Sequence, residues 1–316
     1  MTGVTGALGA VLQVAVIAVG SPYLVGAMRQ VRARLEGRAG PDVAQPWRDL
    51  RKLLRKESLT PHGTSEVFRL TPAVLVASTV LVAAVAPFLT TASPLDPVAD
   101  LFAVVALLTL GTVALALAGI DTGTAFGGMG ASREMTITAL VEPTLLVAIF
   151  ALSVPVGSTN LGAIVNSTLH DPARVVSPVS LLAAVALAVA IIAETGRLPV
   201  DNPSTHLELT MVHEAMVLEY AGPDLALVEW ASAMRLTVFL GLLANLFAPW
   251  GIATGSGLAG LVLAVIVFAV KVGLLGLLLA VGEVFLAKLR LFRVPELLAG
   301  SFLLALLAVA ASFFLA

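Results

Sequence analysis

The sequence predicts an all-α membrane protein, a bundle of about eight transmembrane helices with one amphipathic helix on the cytoplasmic face. Three observations predict it. Hydrophobic residues fill 59% of the 316 positions and charged residues only 12%, with a mean hydropathy of +1.01, whereas soluble domains run to about 25% charged. Apolar runs long enough to cross a bilayer recur along the chain, since about 20 residues at 1.5 Å rise span roughly 30 Å of hydrocarbon. Lys and Arg gather in alternate connecting loops, the pattern that orients multi-pass proteins.

The expected spans are 3–28, 70–90, 99–120, 135–155, 177–195, 229–250, 257–285 and 296–315. The first is a retained helix and not a signal peptide, because no Lys or Arg precedes it and its far flank is strongly basic. The loop at 29–69 carries Arg29, Arg32, Arg34, Arg38, Arg48, Arg51, Lys52, Arg55, Lys56 and Arg69. Threading the spans from there puts Arg133, Arg197, Lys288, Arg290 and Arg293 on the same side and Arg174 opposite. Residues 1–316 are thus expected to form a single polytopic domain in the cell membrane, with both termini on the outer side.

Within the basic loop, Gly37–Pro41 reads as a tight turn. The stretch QPWRDLRKLLRKE that follows places Trp47, Leu50 and Leu54 on one face and spreads Arg48, Arg51, Lys52, Arg55 and Lys56 over the rest. That is an interfacial helix, its cations turned to lipid phosphate or to a docking partner. After the third span, DTGTAFGGMGASRE lacks the Gly-Lys-Ser/Thr of a phosphate loop and follows a helix, so it reads as a sharp cytoplasmic turn. Arg133 and Glu134 would then sit at the next helix entrance as docking residues. Nothing points to nucleic acid.

The acidic loop, 194–228, gathers Glu194, Asp201, Glu208, Glu214, Glu219 and Asp224. Asn202 or Ser204 can cap a helix there, Pro203 suits its first turn, and Thr205-x-x-Glu208 has capping-box spacing. Leu207, Met211 and Leu218 make an apolar stripe, and Glu208 and Glu219 share a face three turns apart. Arg197, three residues after Glu194, is its expected helical partner. Inside the spans, Glu142 stands about two turns into span four before Pro143, Arg235 lies in span six, and Lys271 lies mid-span seven with Glu283 three turns on. Such groups cost about 2.5–3.5 kcal/mol at the bilayer centre and normally face the bundle interior. Interhelical pairing and a proton relay both account for them.

The chain has no cysteine and four histidines, so it can build no iron–sulfur cluster, thiolate zinc site or disulfide on its own. His213-Glu214 opens like a zincin motif, but position 217 is Val, and His206 and His213 lie about 10 Å apart along a helix axis, too far to grip one ion. No cofactor is expected in this chain.

Three of these stretches, GRAGPDVAQPWRDLRKLLRKE, GTAFGGMGASRE and AETGRLPVDNPSTHLELTMVHEAMVLEYAG, closely resemble the subunit 1 family of respiratory complex I. Within it they resemble the branch found in membrane-bound group 4 hydrogenases, formate hydrogenlyase subunit 4 and hydrogenase-4 component C. Two departures separate the chain from the quinone-reducing branch. Only Asp42, Val43 and Ala44 stand where that branch has a longer insert, and Gly196 replaces the Asn of its ETNR element; both point away from a tight quinone cavity. The resemblance implies a membrane anchor that docks hydrogenase large and small subunits and a ferredoxin-like iron–sulfur subunit, beside antiporter-like membrane subunits. A nickel–iron centre and clusters would reside in those partners. Glu142, Glu194, Glu208, Glu214 and Glu219 match the family's acidic positions, with Arg197 and Asp201 in the intervening loop. With Lys271 and Glu283 they make the expected proton path, and Arg48, Arg51, Lys52, Arg55, Arg133 and Glu134 the expected docking set. Membership of a quinone-reducing NADH dehydrogenase complex is the alternative.

Overall fold

The computed structural model describes residues 2–201, 211–255 and 257–315. Among these, eleven α-helices follow one another: α1 (Thr2–Leu35), α2 (Gln45–Leu53), α3 (Glu66–Val85), α4 (Leu101–Asp121), α5 (Ala125–Ser153), α6 (Leu161–His170), α7 (Pro178–Glu194), α8 (His213–Val217), α9 (Gly222–Phe247), α10 (Leu258–Phe285) and α11 (Val294–Leu315). Among the described residues, seven helices are long and apolar enough to cross a membrane, and the eighth expected span is the shorter apolar helix Pro178–Glu194. The protein is a multi-pass membrane protein.

Helix α5 packs on α4, α7 and α11, while α9 packs on α1, α3 and α10. These halves meet where α3 lies on α4 and α7 on α9. Lengths decide what lies between them. At 1.5 Å per residue, the 29 residues of α5 span about 43 Å, whereas the 17 of α7 span only about 25 Å. Helices α5 and α9 therefore run on past the end of α7, and the chain from Thr195 to Asp201, with α8, fills the recess.

Two expectations fail here, each for a physical reason. The glycine-rich stretch turns only at residues 122–124, with Gly123 at φ +65°, and is helix beyond: Thr124 caps it, its hydroxyl accepting from Gly127 N at 3.2 Å, and α5 starts at Ala125. Its glycines serve close packing. A Cβ at Gly127 would lie 2.3 Å from the Gly119 carbonyl of α4, and one at Gly130 2.9 Å from the Val212 carbonyl. Glu142 consequently lies at mid-helix, deeper than two turns from the entrance. Second, α7 stops at Glu194, with Gly196 at φ +57°. Gly196 N donates to Ala193 O and Arg197 N to Ile192 O, the Schellman arrangement that ends a helix on a left-handed glycine. Arg197 is therefore off the helix and not the partner of Glu194.

Helix α2 lies against the bundle more closely than an interfacial helix needs. Pro46 and Leu50 are buried. Trp47 donates to the Val19 carbonyl at 3.1 Å, with Tyr23 and Trp230 rings 6.4 and 6.3 Å from its own. Leu54, expected on the same face, caps the helix and is exposed.

Candidate functional site

The recess above α7 holds a chamber of ionisable groups drawn from four helices. Glu194 ends α7, Arg235 stands in α9, Thr112 in α4 and Glu134 in α5. Arg235 forms an ion pair with Glu194 and also donates to Thr112. The Thr112 hydroxyl donates in turn to Glu194 at 2.8 Å. A glycine on α4 makes the room: a Cβ at Gly111 would sit 3.2 Å from the Arg235 guanidinium. The set encloses about 30 Å³, space for about one water molecule.

The chamber's charges do not balance. Glu134 is 8% exposed and makes no ion pair among the described residues, so two carboxyls face one guanidinium. One shared proton would neutralise the three groups, and moving it would shift charge between two positions in a desolvated space. The second carboxylate oxygen of Glu194 and Nε of Arg235 are buried without a hydrogen-bond partner among the described residues, so the pair keeps unused capacity for a water or a proton.

From Glu134 a polar line continues down α5. Thr138 and Glu142 follow at four-residue steps, about 6 Å each along the axis. The Thr138 hydroxyl is buried with no partner among the described residues, and Glu142 accepts a hydrogen bond from Thr109 of α4. Threonines in an apolar helix normally bond their own backbone, which is why Thr109, Thr112 and Thr138 give no signal in the sequence.

A second cluster lies at the same end, where α10 meets α1 and the chain after α7. Glu283, its side chain 2% exposed, is gripped by Arg32 at 3.4 Å and Arg197 at 3.2 Å. Burial lowers the Arg197 pKa from its usual value, while Glu283 acts to raise it. Asp201 pairs with Lys288 at 3.0 Å and accepts from Val212 N and His213 N at 3.3 and 3.4 Å. Arg133 donates to the Met211 carbonyl at 3.0 Å, bracing the same turn from α5.

Beside this cluster opens a cavity of about 560 Å³, within the usual range of ligand sites. Apolar Val25, Met28, Leu50 and Leu53 form one side of it, and Arg29, Arg32, Arg197, Asp49, Glu214 and Glu229 supply charge. The shortened loop after Pro41 thus does not abolish a cavity, because α1, α2 and α9 wall it.

The structure brings some expected residues together and separates others. Glu134, expected on a docking turn, is buried in the chamber. Glu194 and Glu142 lie on the polar line, Glu214 on the larger cavity, and Glu219 is half-buried after α8. Glu208, His206 and the caps at 202–205 lie outside the described residues. Lys271 donates to Asn245 at 3.4 Å and to the Ala248 carbonyl at the far end of α9, about 18 Å along α10 from Glu283. Arg48 pairs with Asp42 at 2.5 Å, and Arg51, Lys52 and Arg55 are exposed.

Comparison with known proteins places this architecture. A family model described as NADH dehydrogenase matches residues 8–314. Formate hydrogenlyase subunit 4 of Escherichia coli is 35% identical over 94% of this chain and 95% of its own length. Hydrogenase-4 component C of the same organism is 34% identical over 95% and 93%. An NADH-quinone oxidoreductase subunit of Syntrophobacter fumaroxidans is 31% identical over 74% and 73%. Among solved structures, a chain of the membrane-bound sulfane sulfur reductase, an archaeal respiratory membrane complex, superposes with a TM-score of 0.80. It covers 96% of this chain and 98% of that one at 21% identity, a likeness of fold.

Proposed function

Because this chain belongs to the NADH dehydrogenase family, that of complex I subunit 1, we propose that it is the membrane-anchor and ion-coupling subunit of a hydrogenase-type complex. The observation that carries the coupling half of this reading is the chamber, with Glu134 and Glu194 against one guanidinium, Arg235, among the described residues of a membrane bundle. A desolvated group of that composition is neutral when it holds one proton and stays neutral when it passes that proton on as another arrives. The line through Thr138 to Glu142 extends it into the bundle. Electron carriers belong to the partners: hydrogenase large and small subunits with a nickel–iron centre, and a ferredoxin-like subunit with clusters. Antiporter-like subunits complete the membrane arm in the cell membrane.

The docking half rests on the exposed cations Arg51, Lys52 and Arg55 of α2 and the segment after it. Arg51 and Lys52 stand on the helix whose Asp49, Leu50 and Leu53 line the 560 Å³ cavity, so a partner seated there would sense the cavity's charges. A quinone-reducing role is the second reading, and the cavity's size and mixed lining favour it; quinone retained by the purified complex would decide for it.

The test uses the assembled complex in inverted membrane vesicles, driven by an electron donor on which the wild type turns over. Glu134→Gln and Glu194→Gln keep side-chain shape but remove titration. Glu134→Gln breaks no ion pair among the described residues and is expected to leave assembly intact, whereas Glu194→Gln unpairs Arg235 and is expected to assemble less. Both are expected to lower proton movement per electron in the assembled complex about a hundredfold, the low end for transfer by a positioned side chain. Wild-type coupling in both variants would end the reading.

A further inference from the structure

The two cavities are neighbours and share four lining residues. Thr195, His213, Val228 and Ser232 line both. Of these four, only histidine binds and releases a proton near neutral pH. The Thr195 hydroxyl is occupied, donating to the Ile191 carbonyl at 2.7 Å.

We propose that His213 is the proton-transfer residue between the 560 Å³ cavity and the small Glu134/Glu194 chamber. A hydronium reaching the larger cavity gives a proton to one ring nitrogen and is left as water, the other nitrogen releases one toward the chamber carboxyl that is ionised, and ring rotation or reverse tautomerisation resets the imidazole. No electron moves, and the ring ends as it began. The inference rests on the coupling reading of the chamber.

The position is built for such a role. His213 opens α8, whose five residues are too few to hold themselves, and the turn is fixed from outside. Asp201 accepts from Val212 N and His213 N and is itself anchored by Lys288. Arg133 holds the preceding carbonyl. Gly196 brings the end of α7 against the same residue: a Cβ there would lie 3.6 Å from that of His213. The ring is thus carried on a braced turn and not on a free loop.

Electrostatics favour the neutral ring. Burial holds the His213 pKa below its usual value; Asp201 acts to raise it, and Arg235 and Arg197 to lower it further. A neutral imidazole has one donating and one accepting nitrogen, which is what a two-sided relay requires. An imidazolium trapped beside Arg197 and Arg235 would instead block the next proton.

Chemical rescue separates transfer from packing. In the assembled complex, His213→Ala and His213→Gln are compared with wild type for proton movement per electron, with and without millimolar imidazole, which the larger cavity admits. Both variants are expected to lose about a hundredfold. Imidazole is expected to restore His213→Ala substantially, to leave wild type unchanged, and to do little for His213→Gln, whose side chain fills the gap. Wild-type coupling in His213→Gln, or a loss in His213→Ala that imidazole does not relieve, overturns the proposal. Glu134→Gln in the same assay keeps the two readings apart. If it blocks coupling while both His213 variants run normally, only the relay fails; if it too runs normally, the chamber reading falls first.

Discussion

The chamber and the Glu283 cluster are made of the same residue types in opposite proportion. In the chamber, two carboxyls, Glu134 and Glu194, share one guanidinium. In the cluster, one carboxylate is held by two guanidinia, Arg32 and Arg197. Arginine does not give up its proton in proteins, so Glu283 is held between two fixed charges. The chamber has an acid to spare. Buried charge alone therefore does not mark a proton site; the ratio of acid to base around it does. Glu283 ties α1, α10 and the chain after α7 together and lines the larger cavity.

The largest effect that would break this contrast is expected at Glu283. Glu283→Gln removes the buried anion that holds the part-buried Arg32 and Arg197, and breaking a buried pair costs up to about 3–5 kcal/mol. Little assembled complex is expected in the membrane, measured by co-purification of partner subunits and by thermal unfolding. Whatever fraction assembles is expected to move protons at the wild-type ratio per electron. A stable Glu283→Gln complex that turns over but has lost coupling would move Glu283 into the proton path and dissolve the distinction.

Much of this is legible in the sequence, and the misses share a cause. The bundle is readable because apolar length is a local property, and Glu142, Glu194 and Arg235 stand out by their cost in a membrane. Who pairs with whom is not local. Helical spacing matches Arg197 to Glu194, yet Gly196 ends the helix one residue earlier and turns Arg197 toward Glu283. Glycine ambiguity also misplaces Glu134: the residues that suit a turn equally suit a helix pressed on Gly119, Val212 and Ala215. A Gly just after the apolar run of α7 is a C-cap signal that corrects the first error. Motif spacing presents His213 only as a candidate metal ligand, and its place between two cavities depends on helix lengths that no motif encodes.

A smaller effect sharpens the contrast from its exposed limit. Arg51, Lys52 and Arg55 are cations with no desolvation to offset, and exposed pairs are worth about 0–1 kcal/mol. Reversing all three to Glu is expected to leave insertion and thermal stability of this chain nearly unchanged while releasing peripheral subunits from washed membranes about tenfold more readily, a difference of roughly 1.4 kcal/mol. Subunits that stay bound after the reversal would assign that surface to lipid alone.

The smallest expected effect lies at Thr138, and it bears on how the chamber communicates. Glu134 and Glu142 are eight residues apart on α5, about 12 Å along its axis, too far for direct transfer. Thr138 stands midway with its hydroxyl buried and unpartnered among the described residues, where one ordered water could join it to either carboxyl. Thr138→Val keeps the shape, removes that hydroxyl, and also relieves a buried polar group of its missing partner, so thermal stability is expected to hold or rise slightly. Coupled proton movement is expected to fall about threefold, which is roughly 0.65 kcal/mol in the barrier, because water retains a poorer route. Thr138→Ser, which restores the hydroxyl, is expected to recover the wild-type rate. Equal rates in the Val and Ser variants would mean that protons leave the chamber without passing Glu142, and the polar line down α5 would then be packing and not path.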